Sequence, residues 1–275
     1  MKNWSVFKVS LYLILTVITF AMVFPLIPLI FASLKGATEF NDTSALTPPK
    51  NWFNFHNFAT AWTQGDLAHA FFNTGILLSV SLVGTILIGT MTAYALDRFD
   101  FRGKKVVVWS FLIATLVPGV TTQVATFQII NKLNLYNTRW SAVLLYMGTD
   151  IISIYIFLQF MQSIPKALDE AARIDGAGHF TIYFRIILPL LRPAIATVII
   201  IKGIAYYNDF YTPFLYMPDP NLGTVSTSLY RFIGPFSASW QVICAATFLV
   251  ILPTLVAFLA LQKYIYKGLS AGAVK

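Results

Sequence analysis

The sequence predicts an all-α, polytopic membrane protein with six transmembrane helices and both termini in the cytoplasm. Three observations predict it. Hydrophobic residues make up 57% of the 275 positions and charged residues only 11%, where a soluble domain carries roughly 25% charged. Mean hydropathy is +0.70, and the apolar residues gather into runs of about 20, the length that crosses a hydrocarbon core of about 30 Å. Lysine and arginine fall unevenly between the two sets of connecting segments, which orients the chain.

The first run covers about 7–34. It is too long for the core of a secretory signal and contains Pro25 and Pro28, so it reads as a retained, kinked span. Residues 35–69 form a loop holding Trp52, Phe53, Phe55, Phe58 and Trp62. Two readings stay open for it: a short interfacial helix at headgroup level, or a docking surface for an extracellular partner. The second span is about 71–95, followed by the charged loop 97–105. The third is about 106–130, with a kink expected at Pro118-Gly119. The fourth is about 140–161. A polar segment, 162–187, precedes the fifth span at about 188–211, and the sixth is about 240–265. The chain reads as a single transmembrane domain over 1–275.

Orientation follows from the loops. The N-terminus, 97–105, 162–192 and the tail hold thirteen lysines and arginines; the other set holds five, Lys35, Lys50, Lys132, Arg139 and Arg231. The side richer in positive charge is the cytoplasmic one, which puts both termini and 162–187 there. The net charge of +8 then sets topology and meets anionic headgroups rather than nucleic acid. Cys244 is the only cysteine, so no internal disulfide forms. The chain has no phosphate-cradling glycine loop and no His-Glu-x-x-His. His56, His69 and His179 do not assemble into a catalytic set, which weakens any enzyme reading.

The 162–187 segment carries helix signals. Ser163 can cap, Pro165 suits a first turn, and Asp175-Gly176-Ala177-Gly178 ends the helix. On a helix over 164–174, Ile164, Ala167, Leu168, Ala171 and Ile174 share one face, and Lys166, Asp169, Glu170 and Arg173 the opposite one. Asp169 and Arg173 are spaced as an i,i+4 pair. From the residues alone two readings remain: an amphipathic helix on the membrane surface, or a socket for another protein.

Glu170-Ala171-Ala172, then Gly176, then Ile186-x-Leu188-Pro189 resembles the "EAA" signature of bacterial ABC-importer permeases. Likeness extends to the Asp175-Gly176-Ala177 triplet, the 97–105 loop, Asn208-Asp209 and the ending Ala271-Gly272-Ala273-Val274-Lys275. The whole chain is similar to the carbohydrate-uptake permeases paired in maltose-type systems. The resemblance implies a coupling helix seated on a cytoplasmic ATPase dimer, using Leu168, Glu170, Ala171, Ala172, Asp175 and Gly176, with Gly272 and Lys275 reaching toward the same partner. It implies a second, homologous permease subunit, an external solute-binding protein, a sugar or oligosaccharide substrate and a bacterial inner-membrane location. No cofactor is expected in this chain, ATP and Mg²⁺ being held by the ATPase. One departure is Tyr207, where the family frequently has Trp before Asn208; no sugar-stacking role is carried over to it.

Two charges fall inside spans. Asp150 lies about 10 residues into span four and Lys202 about 14 into span five, so their depths differ by about 6 Å at about 1.5 Å per residue. Intramembrane charges are usually paired or face water. Asp150 and Lys202 therefore form a buried pair or line one cavity, either as a structural salt bridge or, with Tyr206, Tyr207, Asn208 and Asp209, as the polar wall of a solute path. The expected function is a transport subunit rather than an enzyme. An ABC permease for another small polar solute and a secondary transporter are the rivals.

Overall fold

The computed structural model describes residues 6–148, 150–233 and 239–273, which are helical with no β-strand among them. In chain order come α1 (Val6–Val23), α2 (Leu26–Leu34), α3 (Ala37–Asp42), α4 (His56–Gln64), α5 (Leu67–Arg98), α6 (Lys104–Leu116), α7 (Gly119–Lys132), α8 (Arg139–Gly148) and α9 (Ile151–Met161). They are followed by α10 (Ala167–Ile174), α11 (His179–Ile182), a π-turn at Tyr183–Ile187, α12 (Leu188–Leu190), α13 (Arg192–Asn208), α14 (Tyr211–Tyr216), α15 (Val225–Ser228) and α16 (Trp240–Ala273).

Three segments are long and apolar enough to cross a membrane unbroken: Lys8–Leu34, Leu67–Arg98 and Trp240–Ala260. Three more qualify only as bent pairs, giving three to six candidate spans. The expected kink in the third span is a 106° bend between α6 and α7. Val117 and Pro118 are both extended, with ψ 116 and 131, because Pro118 lacks an amide donor and disfavours helix at the residue before it. The fifth span does not run straight from Leu188. The segment His179–Leu190 meets α13 at 69°, since Pro193 has no N–H to continue the ladder. Its helix also stops at Asn208, because Asp209 is extended (ψ 114). Residues 266–273, expected as a tail, continue α16.

The chain forms two compact units, Met1–Ala68 with Ser228–Leu255, and His69–Thr227 with Val256–Lys275. In the first, Ala61, Phe232, Val242, Ala245 and Ala246 make a small core. The stretch between α3 and α5 holds the short helix α4, while Phe53 and Phe55 stay exposed. Lys35, expected as a loop charge, is buried: its Nζ donates to Thr43 Oγ1 (2.9 Å) and the Ser44 carbonyl (2.8 Å). Asn57 Nδ2 closes the loop onto the carbonyls of Ser33 and Lys35.

The second unit is built around α5, whose 32 residues run without interruption. Near one end, buried Asn73 donates to the carbonyls of Asn221 and Gly223 (both 2.9 Å) and accepts from Arg139. Near the other, Ala93 and Tyr94 enter a core with Phe157, Met161, Ala172, Tyr183, Ile187 and Val198. Between them Gly89 lets α9 approach: a Cβ there would lie 2.9 Å from the ring of fully buried Phe157. Small residues serve this purpose at membrane helix crossings. Gly89→Ala is therefore expected to cost about 1–3 kcal/mol by overpacking. Gly75→Ala, where a Cβ meets nothing within 4 Å, should be neutral or gain up to about 1 kcal/mol. Thermal unfolding in detergent checks both, and equal stability of the two variants would contradict the close α5–α9 approach.

Candidate functional site

The segment between α9 and α13 is positioned from α5. Ala167-Leu168-Asp169-Glu170-Ala171-Ala172-Arg173-Ile174 is rich in good helix formers. Its acids sit in the first turn and Arg173 in the last, as the helix dipole favours. The helix ends in a Schellman arrangement: the Gly176 N–H donates to Arg173 O (3.0 Å) and the Ala177 N–H to Ala172 O (2.9 Å). Gly176 has φ +80, the left-handed conformation that glycine adopts without penalty.

Two local expectations are corrected. Ser163 does not cap the helix. Its hydroxyl donates back to Phe160 O, and α10 begins after Lys166 with no side-chain cap. Asp169 does not pair with Arg173 as an i,i+4 neighbour. It is buried against Arg98, with Nε and Oδ2 2.5 Å apart. A local pair contributes only about 0.2–0.5 kcal/mol, so a desolvated guanidinium overrides it.

Orientation of α10 follows from that contact. The acid Asp169 and small Ala172 face the core, while Ala167, Leu168, Ala171 and Ile174 face outward, Ile174 at 87% exposure. Glu170, Arg173, Asp175 and Gly176 are exposed beside them. Of the residues singled out in the sequence, Leu168, Glu170, Ala171, Asp175 and Gly176 thus share an open surface, and Ala172 anchors it from behind. Gly272 lies within α16, and Lys275 lies outside the described residues.

Beneath, the segment rests on aromatic contacts. The Tyr94 ring lies 5.5 Å from Tyr183 and 5.7 Å from Phe99, and Phe99 lies 5.1 Å from His179. The Tyr183 hydroxyl is 2.6 Å from Thr90 Oγ1. Arg98, Tyr94, Thr90 and Tyr183 were not singled out by sequence. The 97–105 charges read as topology signals, and tyrosines in apolar runs carry no distinct pattern.

The second cluster is internal. Asp150 caps α9, accepting from the Ser153 amide (3.3 Å) and the Ser153 hydroxyl. Lys202 Nζ of α13 lies 2.5 Å from Asp150 Oδ1, with both side chains largely buried. One turn on, Tyr206 stacks on Tyr146 at 4.4 Å and 15°. Its hydroxyl donates to Tyr146 O (2.8 Å) and lies 3.1 Å from Thr85 Oγ1 of α5. The Tyr146 hydroxyl donates to Asp209 Oδ2 (3.0 Å). Two groups result: the Asp150–Lys202 pair, and Tyr206 and Asp209 joined through Tyr146 with Thr85 on the Tyr206 hydroxyl; Tyr146 and Thr85 are two residues the sequence did not indicate. Asn208 stands apart, exposed, its amide donating to Ile204 O. Tyr207 is half-buried at the adjacent position.

The fold has solved counterparts. It superposes with a TM-score of 0.83 on a bacterial ABC transporter involved in the import of the acidic polysaccharide alginate, at 18% identity, covering 96% of this chain and 99% of that one. In sequence, the chain is 32% identical to the melibiose/raffinose/stachyose import permease protein MelC of Bacillus subtilis strain 168, covering 96% of this chain and 95% of the relative. It is 31% identical to the arabinooligosaccharides transport system permease protein AraQ of Halalkalibacterium halodurans, covering 94% and 93%. The family described as binding-protein-dependent transport system inner membrane component matches residues 85–271. With its exposed helix carried on a membrane-spanning frame, this chain belongs to that family of inner-membrane transport components and is a transport subunit, not an enzyme.

Proposed function

We propose that this chain forms half of the translocation pathway of an ATP-driven importer for a sugar or oligosaccharide in the bacterial inner membrane. The observation that carries it is the outward apolar face of α10. A surface helix ordinarily turns such a face to its own core; here Ala167, Leu168, Ala171 and Ile174 face away from it. Small residues among them let a partner approach the backbone. A cytoplasmic ATPase dimer, holding ATP and Mg²⁺, seats this surface in a groove, with Glu170 and Asp175 at its polar rim.

On this reading each bent pair is one span, six spans leave both termini on one side, and the lysine and arginine bias of the connecting segments supports the cytoplasm for them and for 162–187. The sugar class is supported by two relatives named as import proteins for melibiose, raffinose and stachyose, and for arabinooligosaccharides. A second permease subunit completes the pathway and a solute-binding protein delivers substrate from outside. Closure of the ATPase dimer drives α10, and the spans rock between inward- and outward-open forms. Asp150, Lys202 and Tyr206 supply the carboxylate, ammonium and aromatic surfaces that bind sugars, within the broken-helix part of the second unit, and Asp209 holds the end of α13 beside them.

Ile174→Glu is expected to weaken ATPase association by about thirtyfold, since a buried isoleucine contributes about 2 kcal/mol. Glu170→Lys should weaken it as well. Quantitative co-purification with the ATPase checks both, and uptake that persists with the ATPase deleted would overturn the reading. For the internal pair, Asp150→Asn and Lys202→Met should each lower uptake by leaving a buried charge uncompensated, a loss of about 3–5 kcal/mol in the fold. The double variant should recover much of that stability. A double variant no better than either single one would show the two charges are not coupled.

A further inference from the structure

We propose that Arg98 is a positioning residue that fastens the ATPase-facing segment to α5 and makes α5 the rod carrying its motion to the Tyr146–Tyr206 stack, one turn from Lys202. This rests on the importer reading above.

The guanidinium of Arg98 engages three groups at once. Nε meets Asp169 Oδ2 (2.5 Å) in the first turn of α10, and Nη2 donates to Ile164 O (3.0 Å) in the link before it. Nη1 holds Asp97 Oδ2 at 2.6 Å on its own helix. The Arg98 side chain is 2% exposed and that of Asp169 4%. Hydrogen bonds from Nη1 and Nη2 in two directions fix the plane of the guanidinium, and Nε meets Asp169 as an ion pair rather than an aligned hydrogen bond. Lifting α10 away from α5 would strand two buried charges, so the segment and the helix end move as one body.

A second grip lies beyond the far end of α10. Phe99 meets the His179 ring, and Tyr183 is held by Tyr94 and by Thr90, two turns back along α5. The segment is thus clasped on both sides of its exposed helix, and always by the last three turns of α5.

Of the two helices continuous with the segment, α13 is set off from it by a 69° bend, and α9 runs only 11 residues before its break at Asp150. A bend absorbs displacement; α5 has none across 32 residues. Thirteen residues from Arg98, about 20 Å along the axis, Thr85 touches the Tyr206 hydroxyl. Tyr206 sits one turn from Lys202. One rigid element therefore contacts both the coupling surface and the internal Tyr146–Tyr206 stack, a packed connection through which both sites can bias one element.

The test uses the assembled transporter in vesicles of phosphatidylethanolamine and phosphatidylglycerol. The lone cysteine is removed by Cys244→Ser and a thiol placed by Gly75→Cys, an exposed position on α5 distant from Arg98 where a Cβ meets nothing within 4 Å. Its rate of reaction with a soluble maleimide is measured with and without MgATP and vanadate. The rate should change in the otherwise native protein. In Arg98→Gln the change should vanish while the ATPase stays bound and hydrolyses ATP, and Asp169→Asn should behave alike. The double variant should be no worse, and Arg98→Lys should retain part of the response. An unchanged response in Arg98→Gln overturns the proposal but leaves the importer reading standing, as does a native protein whose thiol rate ignores vanadate. If Arg98→Gln and Asp169→Asn both shed the ATPase, the clasp only supports the fold and the proposal fails. If the native chain itself binds no ATPase, the importer reading fails instead.

Discussion

Charge in a low-dielectric interior must be answered where it sits, and this constraint arranges the second unit. Two of its buried ion pairs, Arg98–Asp169 and Lys202–Asp150, each join helices that are not neighbours in local sequence. Asp150 also begins α9, and Asp209 lies where α13 stops. A helix broken inside a membrane leaves amides and carbonyls that lipid cannot satisfy. Placing carboxylates at such breaks serves two needs, because the same group accepts from the freed amides and meets a cation or hydroxyl. Asp209 does so with the amides of Tyr211 and Thr212 and the hydroxyl of Tyr146.

The inverted orientation of α10 follows from the same rule. Were the helix placed by hydrophobicity alone, Leu168 and Ile174 would turn inward. Arg98 instead draws Asp169 inward, and the apolar stripe is forced out. The cost of that exposure is recovered only when another surface covers it. The buried pair is thus the reason the apolar face is exposed: an internal electrostatic contact turns Leu168 and Ile174 outward.

The all-helical, membrane-spanning class was legible because apolar run length is an additive property of many residues. The Asp150–Lys202 contact was legible too, since depth along two helices is simple arithmetic. What escaped was tertiary choice. The Asp169–Arg173 spacing is a correct local rule, but it competes with a buried partner 71 positions away in sequence, and nothing in the spacing reports Arg98. Pro118-Gly119 signalled a kink, yet its size depends on two successive extended residues. Tyr146 looked like one more aromatic in an apolar run, although its hydroxyl ties α8 to Asp209. The Schellman end at Gly176 was readable because glycine there has one dominant physical use.

The roles of the polar residues on α13 can be separated by what already occupies them. Asp209 Oδ1 accepts two backbone amides, and Oδ2 accepts the Tyr146 hydroxyl. A solute reaching it would compete with bonds that hold α14 in place, so Asp209 is fitted to keep the helix end rather than to exchange ligands. Lys202 differs: its ammonium has three donors, one directed at Asp150, and its side chain is less buried than its partner's. A passing hydroxyl can be met there without unmaking the ion pair. The Tyr146–Tyr206 stack beside it offers an aromatic face whose orientation is fixed by Thr85 on α5. Any rotation of α5 that moves Thr85 must therefore reorient that stack, and the same helix holds α10 through Arg98.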